Sequence, residues 1–239
     1  MTRLDGRHED ALRPIRITTD FIEFAEGSCL IECGNTKVLC CASVEERVPP
    51  HVAEGCGWVT AEYSMLPRAN RQRSRRDIDK LKLSGRSAEI QRLIGRSLRA
   101  AVDREVLGPR TITVDCDVLQ GDGGTRTASV TGGFIALALA CKKLMAQGIL
   151  TENPVKHYVA GISAGIVGET PLLDLCYEED SRAEVDLNCV MDDSLAIIEL
   201  QGTGEGRSFT IEEQQTLVQL CREGLAELIE KEKEIVGDL

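Results

Sequence analysis

Apolar and polar side chains alternate over several short stretches near the start of the chain, and this pattern predicts β-strands. We expect strands over residues 12–18, 28–33 and 36–44, and a fourth over 59–65. Gly34-Asn35, between the second and third of these, is typical of a tight hairpin turn. Pro49-Pro50 then ends this part of the sheet.

The spacing changes to a helical period over residues 87–106, where apolar side chains fall on one face until Gly108-Pro109 stops the helix. Residues 111–119 alternate again and predict a strand. A helix over 128–145 follows. It is apolar over much of its circumference, so we expect it at the centre of the core.

A second set of elements begins near residue 158. Alternation predicts strands over 158–167, 171–176, 184–191 and 195–200, with a loop at 202–206. Thr210 and Glu213 form a capping box that starts the last helix.

Strands followed by helices, twice over, predict an α+β or mixed α/β fold. We expect two similar halves, approximately 1–150 and 151–239, packed as a single domain. No sequence repeat supports the halves.

Composition narrows the function classes. Aromatic residues make up 3% of the chain, which excludes base stacking as a major binding mode. Apolar runs fall short of transmembrane length and the first residues are polar, so we expect neither a membrane span nor a secretory signal. The ten cysteines form no CxxC pair, and most lie in apolar strands, for example Cys40, Cys41, Cys116 and Cys189. Buried reduced thiols and a cytoplasmic location follow.

Charge is unevenly distributed along a chain whose net charge is -11. Residues 68–104 include about a dozen Lys and Arg and four acids, whereas negative charge is concentrated at 212–238. Residues 68–76 contain no acid and predict an exposed loop. Its arginines are Arg68, Arg71, Arg73, Arg75 and Arg76. They fit contact with RNA phosphates, or pairing with the acidic C-terminal helix.

A glycine-rich turn, Gly121-Asp122-Gly123-Gly124-Thr125-Arg126, precedes the central helix. Glycines let the backbone approach a ligand, and the helix start offers unpaired N–H groups to an anion. Arg126 adds a forked, permanently charged donor. The alternative is an ordinary strand-to-helix turn with Arg126 in a surface ion pair. Arg86 repeats the arrangement, because it follows Gly85 at the start of the other arginine-bearing helix.

Asp180 closes an acidic turn, and Asp186 lies on the polar face of the strand over 184–191, together with Glu184 and Asn188. The two carboxylates can converge on one cation, since Mg²⁺ takes one or two carboxylates together with waters and phosphate oxygens. An acidic turn and a solvent-facing strand residue are the alternative. Cys29 and Cys33 are four apart, but no histidine or second cysteine pair completes a zinc site.

The histidines His8, His51 and His157 form no recognisable catalytic set. Acids are few and arginines many in the candidate site. Inorganic phosphate held by arginine is already an anionic nucleophile, so the pattern favours phosphorolysis over hydrolysis.

Long motifs along nearly the whole chain match a known family. They are Arg3-Leu4-Asp5-Gly6-Arg7, Gly57-Trp58-Val59-Thr60-Ala61-Glu62-Tyr63, Gly85-Arg86-Ser87, the stretch from Gln91 to Arg99, the stretch from Asp115 to Arg126, and Asp180 with Ala183-Glu184-Val185-Asp186. In these segments the chain resembles the ribonuclease PH family of phosphate-dependent 3′→5′ exoribonucleases, which trim tRNA precursors.

The resemblance implies a two-half βαβ-type fold and a homo-hexamer built as a trimer of dimers. It implies that Arg86, Gly124, Thr125 and Arg126 bind phosphate, and that Asp180 and Asp186 are the catalytic pair associated with Mg²⁺ or Mn²⁺. The arginine loop, with Arg92, Arg96 and Arg99, would guide RNA. The expected products are nucleoside diphosphates, and the reverse reaction would add nucleotides.

A second interpretation is a catalytic or non-catalytic subunit of an exosome-like ring. Intact Arg86, Arg126, Asp180 and Asp186 favour the enzyme. The chain also carries no appended RNA-binding domain, which fits a free-standing ring rather than polynucleotide phosphorylase.

Overall fold

The computed structural model describes residue 3, residues 5–76 and residues 84–239. Part of the basic stretch predicted between residues 68 and 104 therefore lies outside the described residues. Within them, the chain forms two β-sheets and packs its longest apolar helix between them. This arrangement confirms the predicted α+β class.

The first sheet has the strand order β1-β2-β3-β5-β4. Its strands are β1 (Ile15–Thr19), β2 (Gly27–Cys33), β3 (Thr36–Glu45), β4 (Trp58–Met65) and β5 (Thr111–Gln120). β4 and β5 are parallel and are joined through α1 (Gly85–Ala100) and α2 (Arg104–Leu107), which makes a βαβ unit. The predicted hairpin turn is confirmed, because Gly34 takes a left-handed φ of 55° between the paired strands β2 and β3.

The second sheet is antiparallel, with the order β7-β6-β8-β9. Its strands are β6 (Val159–Val167), β7 (Thr170–Leu173), β8 (Val185–Asp192) and β9 (Ile197–Gly204). The remaining helices are α3 (Thr125–Ala146), α4 (Tyr177–Asp180) and α5 (Ile211–Val236). The capping box that starts α5 is present, with the Thr210 hydroxyl accepting from the Glu213 amide.

Helix α3 contacts β2 and β3 on one side and β6 on the other. Glycines allow α3 to approach β2 and β3 closely. A Cβ at Gly132 would lie 2.8 Å from the Cys40 sulfur, and one at Gly27 would overlap the backbone of α3 at Ala136. In length and apolarity α3 could cross a membrane, although 78% of its apolar window is buried inside this fold. It is the core helix that the sequence predicts.

The prediction of a single helix over 87–106 is wrong. Helix α1 ends at Ala100, and the short α2 starts after Asp103, whose carboxylate accepts from the Glu105 and Val106 amides. The chain leaves the helix because Val102 pairs with Val155 in an isolated β-bridge. A partner more than fifty residues away therefore overrides the local helical pattern.

Smaller differences concern the ends of elements. β1 begins at Ile15 rather than residue 12, β7 ends at Leu173 rather than 176, and α3 begins at Thr125 rather than 128. β9 extends into the segment predicted as a loop, 202–206, and ends at Gly204. It does so because Gly204 still pairs with Val185 of β8.

All ten cysteines are free thiols. Cys40, Cys116 and Cys189 are buried as predicted, whereas Cys41 is half-buried. Burial raises the pKa of the Cys33 and Cys141 thiols to about 12. These thiols stay protonated at neutral pH and act as small apolar side chains.

Candidate active site

A cleft of about 500 Å³ lies where the start of α3 meets β8 and β9. The residues that border it are Glu89, Arg126, Asp186, Asn188, Leu200, Gln201, Gly202, Thr203 and Glu205. The N-terminus of a long helix and an acidic strand thus face the same space. An anion and a cation can be held side by side there.

The glycine-rich turn is shaped by two consecutive left-handed residues, Gly123 (φ 77°) and Gly124 (φ 64°). A Cβ at Gly123 would come within 2.5 Å of the Leu175 carbonyl oxygen, and one at Gly124 within 2.9 Å of Arg13 Nη2. Only glycine fits both the backbone conformation and the space. Gly124 is also the N-cap of α3 and supplies no side-chain cap. The first amides of α3 are therefore not capped by its side chain, as an anion site requires.

Tyr63 holds Thr125, the first residue of α3, in position. This buried tyrosine lies on β4, and its hydroxyl is 2.8 Å from the Thr125 hydroxyl. Burial raises the pKa of Tyr63, although positive Arg86 and Arg126 oppose the rise. The phenol is therefore neutral near pH 7 and can share a hydrogen bond with Thr125.

A buried arginine network lies behind the turn. Arg13 forms an ion pair with Asp174, with Nη2 to Oδ1 at 2.6 Å and Nε to Oδ2 at 3.1 Å. Arg13 Nη1 also donates to the Asp122 carbonyl at 2.6 Å, inside the glycine-rich turn. Arg3 makes a bidentate pair with Glu179 at 2.7 and 2.8 Å. Segments far apart in sequence are thereby tied to the turn and to α4.

Asp180 ends α4, and Asp186 is the second residue of β8. Desolvation by neighbouring side chains raises the pKa of the Asp180 carboxyl although the residue is exposed overall, while Arg86 and Arg126 oppose that rise. Burial and the negative charge of Asp180 raise the pKa of Asp186. Asn188 shares the strand face of Asp186, as predicted, and its Nδ2 donates to Asp186 Oδ2 at 3.1 Å.

Arg126 borders the cleft, and Arg86 lies near the carboxylate of Asp180. Both act electrostatically on Asp180, so the structure brings the four predicted charged residues together. Arg126 has only weak partners among the described residues, with Gln201 Oε1 at 3.3 Å and Glu89 Oε1 at 3.9 Å. These distances argue against the alternative in which Arg126 serves an ordinary surface ion pair.

The carboxylate pair suits a hard divalent cation. The negative charge of Asp180 helps to raise the pKa of Asp186, and a positive ion between the two carboxylates would offset that repulsion. Mg²⁺ and Mn²⁺ prefer oxygen ligands. Among the described residues, no cluster of three or more His, Cys, Asp or Glu side chains could hold a metal alone. Phosphate oxygens and waters would have to supply the other ligands, which Mg²⁺ accepts readily.

The arginine loop borders this site on the side of α4. Arg71 Nη2 lies 2.7 Å from Glu178 Oε1, two residues before Asp180. The other loop arginines predicted to bind RNA are exposed, namely Arg68, Arg73, Arg75 and Arg76. The loop thus meets α4 through Arg71, whereas the alternative for the loop was pairing with the acidic C-terminal helix. RNA binding by these residues remains a prediction.

The three arginines predicted on α1 lie beside Trp58, around a second cleft of about 420 Å³. Arg92 is exposed, and Arg96 forms a bidentate pair with Glu199 of β9 at 2.8 and 3.0 Å. Arg99 donates to the Val59 carbonyl at 2.8 Å and stacks on Trp58 at 4.4 Å. Arg96 and Arg99 therefore have structural contacts that sequence reasoning missed, and their RNA contact remains a prediction.

Sequence reasoning also missed Arg13, Asp174, Glu179 and Tyr63 as parts of the site. Arg3 and Tyr63 lie in segments that carry the family resemblance, which was a usable signal. Asp174 carried none, because its left-handed φ of 51° and its pairing with Arg13 appear only in the fold.

Comparison with known proteins agrees with this geometry. The model of the 3′ exoribonuclease family, domain 1, matches residues 11–143, and domain 2 of the same family matches residues 157–223. Ribonuclease PH of Bacillus subtilis is 58% identical over 238 residues, covering 99% of this chain and 97% of the relative. Ribonuclease PH of Bacillus pumilus is 56% identical over 239 residues, covering 99% of each.

Solved structures show the same fold at lower identity. An Archaeoglobus fulgidus exosome with RNA bound to the active site matches with a TM-score of 0.83 and 24% identity, covering 96% of this chain and 92% of that one. An archaeal exosome core matches with a TM-score of 0.76 and 25% identity, covering 97% and 91%. With full-length relatives above half identity and both family domains in order, this chain belongs to the ribonuclease PH family of 3′ exoribonucleases.

Proposed function

We propose that this phosphorolytic 3′→5′ exoribonuclease removes 3′-terminal nucleotides from tRNA precursors, and from ribosomal RNA, and releases nucleoside diphosphates. One observation carries the proposal. The uncapped start of α3, Arg126 and Arg86 act on the same cleft as Asp180 and Asp186. The cleft can therefore hold inorganic phosphate as a nucleophile beside a carboxylate-bound cation.

The chemistry follows from how the nucleophile is held. The amides at Gly124, Thr125 and Arg126, with the two guanidinium groups, would bind and orient inorganic phosphate. Its oxygen attacks the phosphorus of the terminal phosphodiester bond, and the bond from that phosphorus to the 3′ oxygen of the shortened RNA breaks. The 3′ oxygen takes up the proton that hydrogen phosphate loses and becomes the new 3′ hydroxyl. Phosphate is already anionic, so no general base needs to remove a proton from it. The same positioning serves the reverse reaction, which adds nucleotides from diphosphates.

We propose that Asp180 and Asp186 hold Mg²⁺ or Mn²⁺. A bound divalent ion would neutralise charge on the phosphate oxygens during transfer. The chain's own contribution is to keep both carboxylates ionised and aimed into the cleft. Asn188 supports this through its hydrogen bond to Asp186, and Arg126 through its positive charge.

We propose that the chain works in the cytoplasm as a homo-hexamer, a trimer of dimers. Its ten free thiols suit a reducing compartment. The shared fold with an archaeal exosome core supports assembly into a larger unit, and the exosome with RNA in its active site supports RNA as the substrate. Light scattering on the purified protein tests the assembly, and a monomer at working concentration would contradict it.

The central test is identification of the product. The protein is incubated with a short 3′-tailed RNA and Mg²⁺, with and without inorganic phosphate. We expect nucleoside diphosphates that appear only with phosphate, and extension of the RNA when diphosphates replace phosphate. Release of monophosphates without phosphate would overturn the proposal and indicate hydrolysis.

Replacing the carboxylate pair gives the largest expected loss of activity. Asp180→Asn or Asp186→Asn removes a metal-binding charge, so turnover should fall sharply in both directions. The fold should survive, because Asp180 is exposed and Asp186 lies on the polar face of β8. Glu205→Gln is a matched control that removes a negative charge bordering the same cleft. Full activity in the double variant of Asp180 and Asp186 would remove both residues from the site.

A further inference from the structure

Tyr177 is an exposed aromatic residue at the border of the candidate active site. Half of its surface, 50%, is open to solvent, although it lies on the short helix that ends at Asp180. Its amide donates to Asp122 Oδ1 at 3.3 Å, which ties it to the glycine-rich turn. An exposed ring beside a catalytic cleft is available to a ligand.

The geometry of α4 directs the ring outward. Glu179 is buried against Arg3, so it marks the inner side of this single turn. Successive residues of a helix are about 100° apart, which places Tyr177 almost opposite Glu179 and next to Asp180. The ring therefore stands on the solvent side of α4, beside the carboxylate predicted to act in catalysis.

Arg71 of the arginine loop lies over this ring. Its guanidinium carbon is 5.7 Å from the Tyr177 ring centroid, within the range of a cation–π contact. Its Nη2 is held by Glu178 at 2.7 Å. A positive group and an aromatic face are thus fixed together where the basic loop meets α4, the helix that ends at Asp180. This combination binds single-stranded nucleic acid, through base stacking and phosphate attraction.

We propose that Tyr177, with Arg71 beside it, is a stacking platform for a nucleobase within the last two nucleotides of the RNA. The proposal rests on the proposed function and adds where the substrate base is held. Every nucleobase has a π-face, so the platform accepts any sequence, as an enzyme that removes successive nucleotides requires. A single platform is compatible with a chain that contains 3% aromatic residues.

The test measures stacking directly, without turnover. A fluorescent purine analogue is placed at the last or next-to-last position of a short RNA, and binding is followed without phosphate. We expect quenching with the intact protein and with Tyr177→Phe, and loss of quenching with Tyr177→Leu. RNA affinity of Tyr177→Leu should fall roughly 5- to 150-fold, the range for one stacked base. The phosphate KM should not change.

Ile197→Ala is the matched control. Ile197 is equally exposed, at 50%, but it begins β9, three residues before Leu200, the first residue of that strand that borders the cleft, and about 10 Å from it along the strand. Equal quenching and equal RNA affinity in Tyr177→Leu and Ile197→Ala would overturn the platform. So would a Tyr177→Leu variant in which only the oligomeric state changes.

A crosslinking experiment on the unmodified protein removes any dependence on how the variants fold. A photoreactive uridine is placed at the last position of one RNA and at the next-to-last position of another. At least one of them should crosslink to Tyr177 or Arg71, and crosslinks only elsewhere from both RNAs would overturn the platform. The product assay separates the two proposals. If the unmodified protein releases no diphosphates, the proposed function fails; if it does and Tyr177→Leu binds RNA normally, only the platform fails.

Discussion

Two groups of arginines lie around the glycine-rich turn and α4, and they differ in the partners that hold them. Arg3 and Arg13 are buried, and each meets a carboxylate at 2.6 to 2.8 Å. Among the residues that the structure describes, Arg126 reaches only an amide oxygen at 3.3 Å and a carboxylate at 3.9 Å, and Arg86 is exposed. The first group has its countercharge inside the fold. The second acts on Asp180, across the space where a phosphate would bind.

This difference in partners separates arginines that stabilise the fold from arginines that can bind a ligand. A buried, fully paired guanidinium has no donor left for a ligand, so it contributes to the shape of the turn and of α4. A guanidinium with weak partners can exchange them for phosphate at little cost. Substitutions in the first group should therefore alter stability, and those in the second should alter the response to phosphate.

The largest effect is expected from breaking a buried pair. Arg13→Met leaves Asp174 buried without its main partner and should cost about 3–5 kcal/mol of unfolding free energy. Urea or thermal unfolding measures the loss. Adding Asp174→Asn to Arg13→Met should recover part of it, because the unpaired charge is removed and asparagine tolerates the left-handed backbone at this position. A single variant as stable as the unmodified protein would show that the pair does not shape the fold.

A smaller effect, on function, is expected in the cleft. Arg126→Ala and Arg86→Ala each remove charged donors worth about 1.5–3 kcal/mol, or roughly 10- to 150-fold in kcat/KM for phosphate. RNA affinity measured without phosphate and the melting temperature should change little. If RNA binding collapses while the phosphate response stays normal, the comparison between the two groups fails.

Glu232 on α5 is buried like Arg3 and Arg13 but lacks their partners. It is 0% exposed, and neither carboxylate oxygen has a hydrogen-bond partner among the described residues. Burial raises the pKa of Glu232 well above its usual 4.5. The folded state then holds a proton that the unfolded state releases above pH 4.5, so rising pH destabilises the fold until the folded pKa is reached. Glu232→Gln removes this effect. Its stability advantage should widen by up to about 1.4 kcal/mol per pH unit between pH 4.5 and the folded pKa, and then stay constant.

Unfolding of both proteins at about pH 5, 6, 7 and 8 measures the difference. Glu234→Gln is the control on the same helix, because Glu234 is exposed. Parallel stability curves for Glu232→Gln and the unmodified protein would show that Glu232 finds a partner in solution.

The smallest effect is expected from the loop arginines. Arg73, Arg75 and Arg76 are exposed, whereas Arg71 is paired with Glu178. Replacing Arg73, Arg75 and Arg76 with Ala should flatten the slope of log RNA affinity against log salt by about 0.7 for each RNA phosphate that the variant no longer neutralises. The melting temperature should stay unchanged. An unchanged slope with tRNA-like RNA would show that these three do not bind the RNA backbone.

Local chemistry predicts the parts of this structure that local sequence determines. The alternating β5, the apolar α3 and the Thr210 capping box were all predictable, because their side-chain periods and caps lie within the segments themselves. The candidate site was predictable where glycine, arginine and aspartate clustered in short motifs. The resemblance to known enzymes supplied the roles of individual residues.

Contacts between distant residues set the limits of that prediction. The break after α1 depends on Val102 meeting Val155, and the shape of the glycine-rich turn depends on Arg13 reaching Asp174 across 161 positions. The helix α4 was predicted as a turn. It is stabilised by Glu179, whose carboxylate accepts from the Cys176 amide and also pairs with Arg3. Periodicity carries no information about such pairs.

Helix α3 couples the unfolding of the two sheets. The helix packs against both sheets. Gly27 and Gly132 bring it close to the first sheet, and Gly161 brings it close to the second, where a Cβ would lie 3.2 Å from Thr127 and Val130, so opening either sheet exposes one side of the helix to water. Unfolding should be a single cooperative event rather than two. Phosphate bound at the first turn of α3 would then slow hydrogen exchange in both sheets, including amides of β2 far from the cleft.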